Sequence, residues 1–335
     1  MIRQLVTVFA TLLSLVAPAP AQTPPQAPAE SCGTRDLIAE LSPADRAKLD
    51  ALVAKQPFAE GNFWRAEKPG STVYVAGTLH IPDPRLAGFY TRISPYIPKA
   101  DLVILEADAD TQAATQKLAT DHPEYFFIQS GPSIIDLLGP EDWAIAKARL
   151  DELGFPTFVA AKFQPWYLSI IVGIPGCAFK LMRQGVGGLD KMIEEEAKKD
   201  NVPIATLDSA DVVVKIFGND PIDKQLQALR LILHTTEDGD ASISTLLAGY
   251  FDERVRETWE FNRIQGEMLG LEGSDEMFDE LNKSVLLDRN QFWEPKIVKL
   301  VAGKTAVLAV GGAHLSGETG VLRSLQRAGY TITRM

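Results

Sequence analysis

Four short apolar runs constrain this chain more than any other feature: STVYVAGT at Ser71–Thr78, DLVILE at Asp101–Glu106, VPIATL at Val202–Leu207 and TAVLAV at Thr305–Val310. Strand-length runs rich in aliphatic and β-branched residues are what strands buried on both faces look like. Long segments of helical periodicity separate them, clearest over Glu141–Leu153, Leu189–Asp200, Ile222–Leu233 and Met277–Val301. Strands alternating with helices predict an α/β fold: a central mixed, largely parallel β-sheet covered by helices on both faces. NFWRAE supplies a further strand, separated from STVYVAGT by the turn Lys68-Pro69-Gly70. Upstream, Asp36–Lys55 carries apolar residues at helical spacing, with Ser42-Pro43 opening a second helix there.

The first 21 residues read as an export signal rather than as part of the fold. Arg3 gives a positive start, Leu5–Ala17 an apolar core, and Ala19-Pro20-Ala21 a small-residue cleavage site. The apolar run is shorter than the ~20 residues a membrane span needs. The expected mature protein is therefore exported, periplasmic or secreted, with no stable membrane anchor. QTPPQAPAE at 22–30 is a Pro/Ala linker. The expected organisation is signal 1–21, linker and helical segment 22–58, and one domain over 59–335.

A formal charge of −11, with no basic block, argues against nucleic-acid binding. The two cysteines, Cys32 and Cys177, are free to pair in an oxidising compartment, so a disulfide between them is expected. Neither has a histidine nearby in sequence, which disfavours a cysteine-based catalytic or zinc site.

The candidate chemistry lies at the strand ends. VYVAGT is followed by Leu79-His80, LVIL by Glu106, PIATL by Asp208, and AVLAVGGA by His314. In open α/β sheets, ligands bind beyond the carboxyl ends of the strands. If these strands are parallel, the four polar side chains share one edge. Two of the four histidines also share a pattern, Gly77-Thr78-Leu79-His80 and Gly311-Gly312-Ala313-His314. Two imidazoles and a carboxylate suit an open metal site, where a bound water becomes a nucleophile. Glu106 is either a ligand there or the general base. The competing reading is two buried histidines hydrogen-bonded to backbone and a carboxylate capping a helix. His122 and His234 read as structural or solvated. Trp166, Trp259 and Trp293 read as core, with Trp166, after Pro165, also a candidate to line a cleft. Gly185-Val186-Gly187-Gly188 before a helix beginning Leu189-Asp190 reads as a plain turn rather than an anion-binding loop. No Gly-x-Ser-x-Gly elbow, His-Glu-x-x-His helix or Walker loop is present.

Taken in order, FWRAE, VYVAGTLHIPDP, DLVILEAD, FQPWYLSI, GVGGLDKMIEEEAKKDNVPIATLDS, LLDRNQFW and AVLAVGGAHLSGETGVLRSLQRAGYTITRM resemble the TraB/GumN family. That family is related to Tiki-type metalloproteases and more distantly to erythromycin esterase-like proteins. The resemblance spans about Phe63–Met335. It implies a sheet between helices with a cleft at the two Gly-x-x-His loops. It also implies divalent-metal-dependent peptide cleavage (Mn, Co or Zn) using His80, Glu106 and His314. The family's Arg-Asn pair falls on Arg289 and Asn290, with Arg289 implied as a partner for a substrate carboxylate or an oxyanion. Where relatives commonly carry Leu-Glu-Thr, this chain has Asp208-Ser209, which makes Asp208 a supporting residue. Asp83 and Trp166 complete the candidates for substrate or supporting contacts.

The leading expectation is an exported metal-dependent hydrolase acting on peptides or small proteins. The alternatives are a non-catalytic module that sequesters a peptide signal, a metal or haem, and a metal-free esterase with a histidine base. A carboxylate beside an open metal position distinguishes the hydrolase, because sequestration needs only affinity.

Overall fold

The computed structural model describes residues 33–174, 176–183, 187–235, 239–270 and 273–335. The expected export signal, the expected linker at 22–30 and Cys32 lie outside the described residues. The expected Cys32–Cys177 bridge lies outside them with Cys32. The chain divides into two compact units. Of the described residues, those within 109–183 and 209–235 build one, and those within 33–108, 187–208 and 239–335 the other.

The second unit holds the sheet. Its strands are β1 (Phe63–Lys68), β2 (Ser71–Thr78), β3 (Leu102–Leu105), β4 (Ile204–Thr206), β5 (Thr305–Gly311) and β6 (Thr331–Arg334). They lie in the order β4-β3-β5-β2-β1-β6. The β4/β3, β3/β5 and β5/β2 pairs are parallel. The β2/β1 and β1/β6 pairs are antiparallel. The sheet is therefore mixed and largely parallel.

Alternation of side chains along β5 sorts its residues between two helical layers. Ala306, Leu308 and Val310 pack with Val73, Val75, Ile104, Trp293, Ile297, Leu322 and Leu325 in one core cluster. That face is covered by the helices Asp288–Val301 and Val321–Arg327. Val307 and Ala309, equally buried, point the other way. There the helix Leu189–Lys199 and the 3₁₀ turn Ser94–Lys99 pack on β3 and β5. Burying each such aliphatic side chain stabilises by about 1.5–3 kcal/mol, so the apolar runs hold the strand ends firmly in register.

The Met277–Val301 pattern is not one regular helix. It divides into Ser274–Asn282, a π-helical turn Lys283–Leu287, and Asp288–Val301. A π turn keeps the helical path but rotates the residues beyond it, and here it immediately precedes Arg289. The helical spacing over Asp36–Lys55 also yields less than expected. Leu37–Glu40 forms turns, and the regular helix is Pro43–Val53, with Ser42 accepting from the Asp45 N–H as its cap. Among the described residues no helix is long and apolar enough to cross a membrane.

The first unit is helical. Its main core includes Ile134, Leu150, Phe163, Leu168, Leu229 and Leu233. A smaller cluster joins Phe126, Trp166 and Val214.

Candidate functional site

β2, β3, β4 and β5 run parallel, so His80, Glu106, Asp208 and His314 follow strand ends on one edge of the sheet. The two Gly-x-x-His loops leave neighbouring strands, but not level with each other. Thr78 pairs with Gly311, so the second motif starts one residue further along its strand.

His314 is buried, with 5% of its side chain exposed. Its Nδ1 lies 2.8 Å from the Asn290 Oδ1, and its Nε2 lies 3.0 Å from the Arg289 Nη1. A guanidinium only donates, so Nε2 accepts and Nδ1 carries the proton. Trp293 packs against the ring, with centroids 4.5 Å apart. Burial pushes the His314 pKa down to about 3, with Arg289 and His80 adding to the effect and Glu106 opposing it. The ring is neutral at pH 7.

Arg289 organises the rest. Its Nη2 donates to Glu106 Oε2 and to Asp208 Oδ2, each at 2.6 Å. Its Nη1 also donates to the Val285 carbonyl at 3.3 Å, inside the π turn. The guanidinium lies 4.6 Å from the Trp293 ring centroid. Trp293 in turn donates its indole N–H to Asp208 Oδ1 at 2.8 Å. The other Glu106 oxygen, Oε1, accepts the Gly311 N–H at 2.5 Å. Burial alone would push the Glu106 carboxyl up. The rings of His314 and His80, the guanidinium and the Gly311 N–H outweigh it and hold the pKa at about 2.

His80 differs on every count. Its side chain is 59% exposed, its Nε2 lies 4.0 Å from Glu106 Oε2, and its Nδ1 lies 3.2 Å from Asp190 Oδ1. Crowding by protein atoms opposes a charge on this ring. The Asp190 carboxylate, with Glu106 behind it, prevails against that and against Arg289, and raises the pKa to about 9.

Asp190 is the residue that sequence reasoning misses. It sits in the first turn of the Leu189–Lys199 helix, whose Leu189 N–H donates to the Leu79 carbonyl at 2.9 Å. Gly188 makes that approach possible. A Cβ there would fall 2.2 Å from Leu79 O and 2.6 Å from His80 Cα. The signal is present in GVGGLDKM, where the glycines by themselves read as a plain turn. Gly185 and Val186 of that segment lie outside the described residues. Trp293, expected as core, is both core and a hydrogen-bond donor to Asp208.

Two further candidates are engaged by partners of their own. Trp166 is buried in the first unit against Phe126 and Tyr167, and it donates its indole N–H to the Tyr125 carbonyl at 3.0 Å. Its partnered N–H and buried ring make it a core residue rather than a cleft wall. Asp83 is clamped by Arg85, which reaches both carboxylate oxygens at 2.8–2.9 Å, so it braces its own loop. His122 and His234 are exposed in the first unit, beside Glu124 and Asp142 respectively.

A divalent metal at this edge would need the Nε2 lone pair of His314 and an oxygen of Glu106, each roughly 2.0–2.2 Å away. Arg289 donates to both, and the second Glu106 oxygen is held by Gly311. Among the described residues, no three His, Cys, Asp or Glu side chains are arranged to hold a metal ion. With Arg289 in place, the donor set does not fit one. Gly311 lets the strand pass close to these groups: a Cβ there would lie 3.2 Å from Glu106 Oε1 and 3.6 Å from His80 Nε2.

Among known proteins, the family model described as the TraB/PrgY/gumN family matches residues 62–334. No curated protein matches the chain.

Proposed function

The chain belongs to the TraB/PrgY/gumN family, and from that premise we propose that it is an exported hydrolase cleaving a carbonyl bond of a peptide or small protein at the His80 edge of the cluster. The observation that carries this reading is the pairing of an exposed histidine with Asp190 beside a buried, fixed network of charges. An imidazole whose far nitrogen faces a carboxylate is oriented for proton transfer at its near one.

In the neutral form, His80 Nε2 takes a proton from water as its oxygen bonds to the substrate carbonyl carbon. The imidazolium then returns the proton to the departing amine or alkoxide as the carbonyl–heteroatom bond breaks. Asp190 steadies the charge that His80 gains. Glu106, ionised and 4.0 Å away, favours the same charge. Arg289 keeps Glu106 and Asp208 in position. Its terminal nitrogens are committed to Glu106, Asp208, His314 and the Val285 carbonyl, so it braces the site rather than receiving an oxyanion.

With the His80 pKa raised to about 9, the neutral base grows scarcer below that value. Turnover is expected to climb about tenfold per pH unit from pH 7 and to level near pH 9. The test is a panel of quenched-fluorescence peptides and activated esters, assayed from pH 6 to 10 with and without Mn²⁺, Co²⁺ or Zn²⁺. Hydrolysis with that pH profile, abolished in His80→Ala, supports the reading. Hydrolysis undiminished in His80→Ala, or no hydrolysis across the panel, refutes it.

The closed network favours a second reading, capture of a peptide signal or haem without turnover, because its charges are already engaged with one another. Glu106→Gln separates the two. It lowers turnover of a hydrolase by perturbing His80, and leaves the output of a simple binder, ligand capture, in place.

A further inference from the structure

The loop that carries His80 is also tied to a tyrosine far along the chain. We infer that Tyr250 is a positioning residue for His80: by holding the Gly77 carbonyl, its hydroxyl fixes the loop on which His80 meets Asp190.

Three observations carry this. First, the hydroxyl stands where a ladder stops. β1 pairs with β2 as far as Phe63 and Ala76. One residue on, the Gly77 N–H donates to the Asn62 carbonyl at 2.7 Å, and the Tyr250 hydroxyl donates to the Gly77 carbonyl at 2.9 Å. A buried carbonyl at the end of a ladder needs a donor from elsewhere in the fold. Tyr250 supplies it from the last turn of the helix Gly239–Phe251, with its own side chain buried. The Asn62 side-chain amide donates to the Tyr250 carbonyl at 2.9 Å, which closes a ring of three hydrogen bonds through Gly77, Tyr250 and Asn62. Burial pushes the phenol pKa up, with Asp190 and Glu253 adding to it and Arg92 opposing, so the hydroxyl keeps its proton and stays a donor.

Second, Gly77 lies where the two Gly-x-x-His loops meet. A Cβ on it would fall 2.9 Å from Leu315 Cδ1 and 3.0 Å from Gly312 Cα. Fixing its carbonyl therefore fixes the point from which the His80 loop departs. Third, the next residue adds no tie of its own, since Thr78 Oγ1 is buried without a hydrogen-bond partner among the described residues. The following tie is the Leu79 carbonyl, which accepts the N–H of Leu189 on the helix that presents Asp190. His80 thus leaves a segment anchored on one side by Tyr250 and on the other by the helix of its own partner. Loosening the first anchor changes where the ring stands against Asp190, and a misplacement of about 1 Å can cost on the order of 10²-fold in rate.

The effect on turnover rests on the proposed hydrolase, whereas the effect on His80 itself does not. Tyr250→Phe, made in the full chain, removes the hydroxyl and keeps the ring against Phe89 and Phe251. Tyr330→Phe is the matched control, because the Tyr330 hydroxyl is also buried and lies 2.8 Å from Ser71 Oγ at the opposite end of β2. In ¹⁵N-histidine-labelled Tyr250→Phe, the His80 ring signals should move toward those of Asp190→Asn. The Leu189 amide should exchange about tenfold faster or more. On a substrate that wild type hydrolyses, kcat should fall about tenfold or more while KM changes less than about twofold. Tyr330→Phe should leave all three readouts at their wild-type values. Unmoved His80 signals in Tyr250→Phe, or the same shifts in Tyr330→Phe, overturn the inference.

If wild type hydrolyses nothing, the proposed function falls, and the ring and amide signals still decide this inference. If Tyr250→Phe does not fold, Asn62→Ala takes its place. It removes the bond to the Tyr250 carbonyl and keeps both groups that bond Gly77. The same signals should then move in the same direction by a smaller amount, and signals that stay at wild-type positions overturn the inference.

Discussion

The loops Gly77–His80 and Gly311–His314 carry the same four-residue pattern on adjacent parallel strands, yet they set their histidines in opposite chemical states. His314 turns inward, is 5% exposed, and has both ring nitrogens engaged by Asn290 and Arg289. Its pKa is pushed down to about 3. His80 turns outward, 59% exposed, toward Asp190, and its pKa is raised to about 9. A one-residue offset between the motifs places them differently against the sheet edge. The lesson is that a short motif fixes where a side chain leaves the strand, while the elements packed around it fix its charge.

Breaking the buried half should cost most. Arg289→Ala leaves Glu106 and Asp208 uncompensated, and removing one partner of a buried pair is worth about 3–5 kcal/mol. Urea denaturation at pH 7 should register a loss of that order. A loss below about 1 kcal/mol would mean that the network is solvated and the contrast between the loops overstated.

His314→Ala comes next, at about 1–3 kcal/mol for the Asn290 oxygen and the Arg289 N–H that lose their partner, and it also removes a pH dependence. His314 is neutral when folded and protonates near 6.5 when unfolded, so protons favour the unfolded chain as pH falls from 6.5 toward 3. Glu106 acts in the same direction from 4.5 toward 2, because its folded pKa is depressed. Wild type should therefore lose stability on acidification from pH 6.5, and His314→Ala should show a shallower slope between 6.5 and 4.5.

On the exposed side, His80→Ala should change stability by less than about 1 kcal/mol while reducing hydrolysis by about 10²–10⁴-fold. The stability His80 does contribute runs the other way with pH. Its folded pKa is raised, so the contribution is full below 6.5 and lost as pH rises through 9. The smallest substitution is Gly311→Ala. The backbone there has φ −49°, open to any residue, but the new Cβ would lie 3.2 Å from Glu106 Oε1, so the carboxylate must give way and folding should lose about 1 kcal/mol. The added methyl would crowd Glu106 beside His80, and assays should register the lost turnover.

Much of this is legible in the chain. STVYVAGT, DLVILE, VPIATL and TAVLAV form β2, β3, β4 and β5 because a fully apolar run of strand length has few other places to go. Their parallel pairing then puts His80, Glu106, Asp208 and His314 on one edge. The π-helical turn ahead of Arg289 leaves no trace, since Lys283–Leu287 has neither glycine nor proline to mark it. Arg289 and Asn290 are reached only through the family resemblance, because nothing in their own helix demands them. Asp190 escapes notice because its role depends on two loops meeting, over a hundred residues apart, across Gly188. Trp166 and Asp83 stand out by neighbouring prolines and motif position, which say nothing about the partners that in fact occupy them.

The central claim, that two matching loops hold one neutral and one positively charged histidine, is tested most directly by NMR titration of the imidazole rings in ¹⁵N-histidine-labelled protein. Signals would be assigned by single substitution of each of the four histidines. The account predicts that His80 titrates near pH 9. It predicts that His314 stays a neutral Nδ1–H tautomer from pH 8 down to 4. If both rings titrate together near 6.5, the environments are equivalent and the account is wrong.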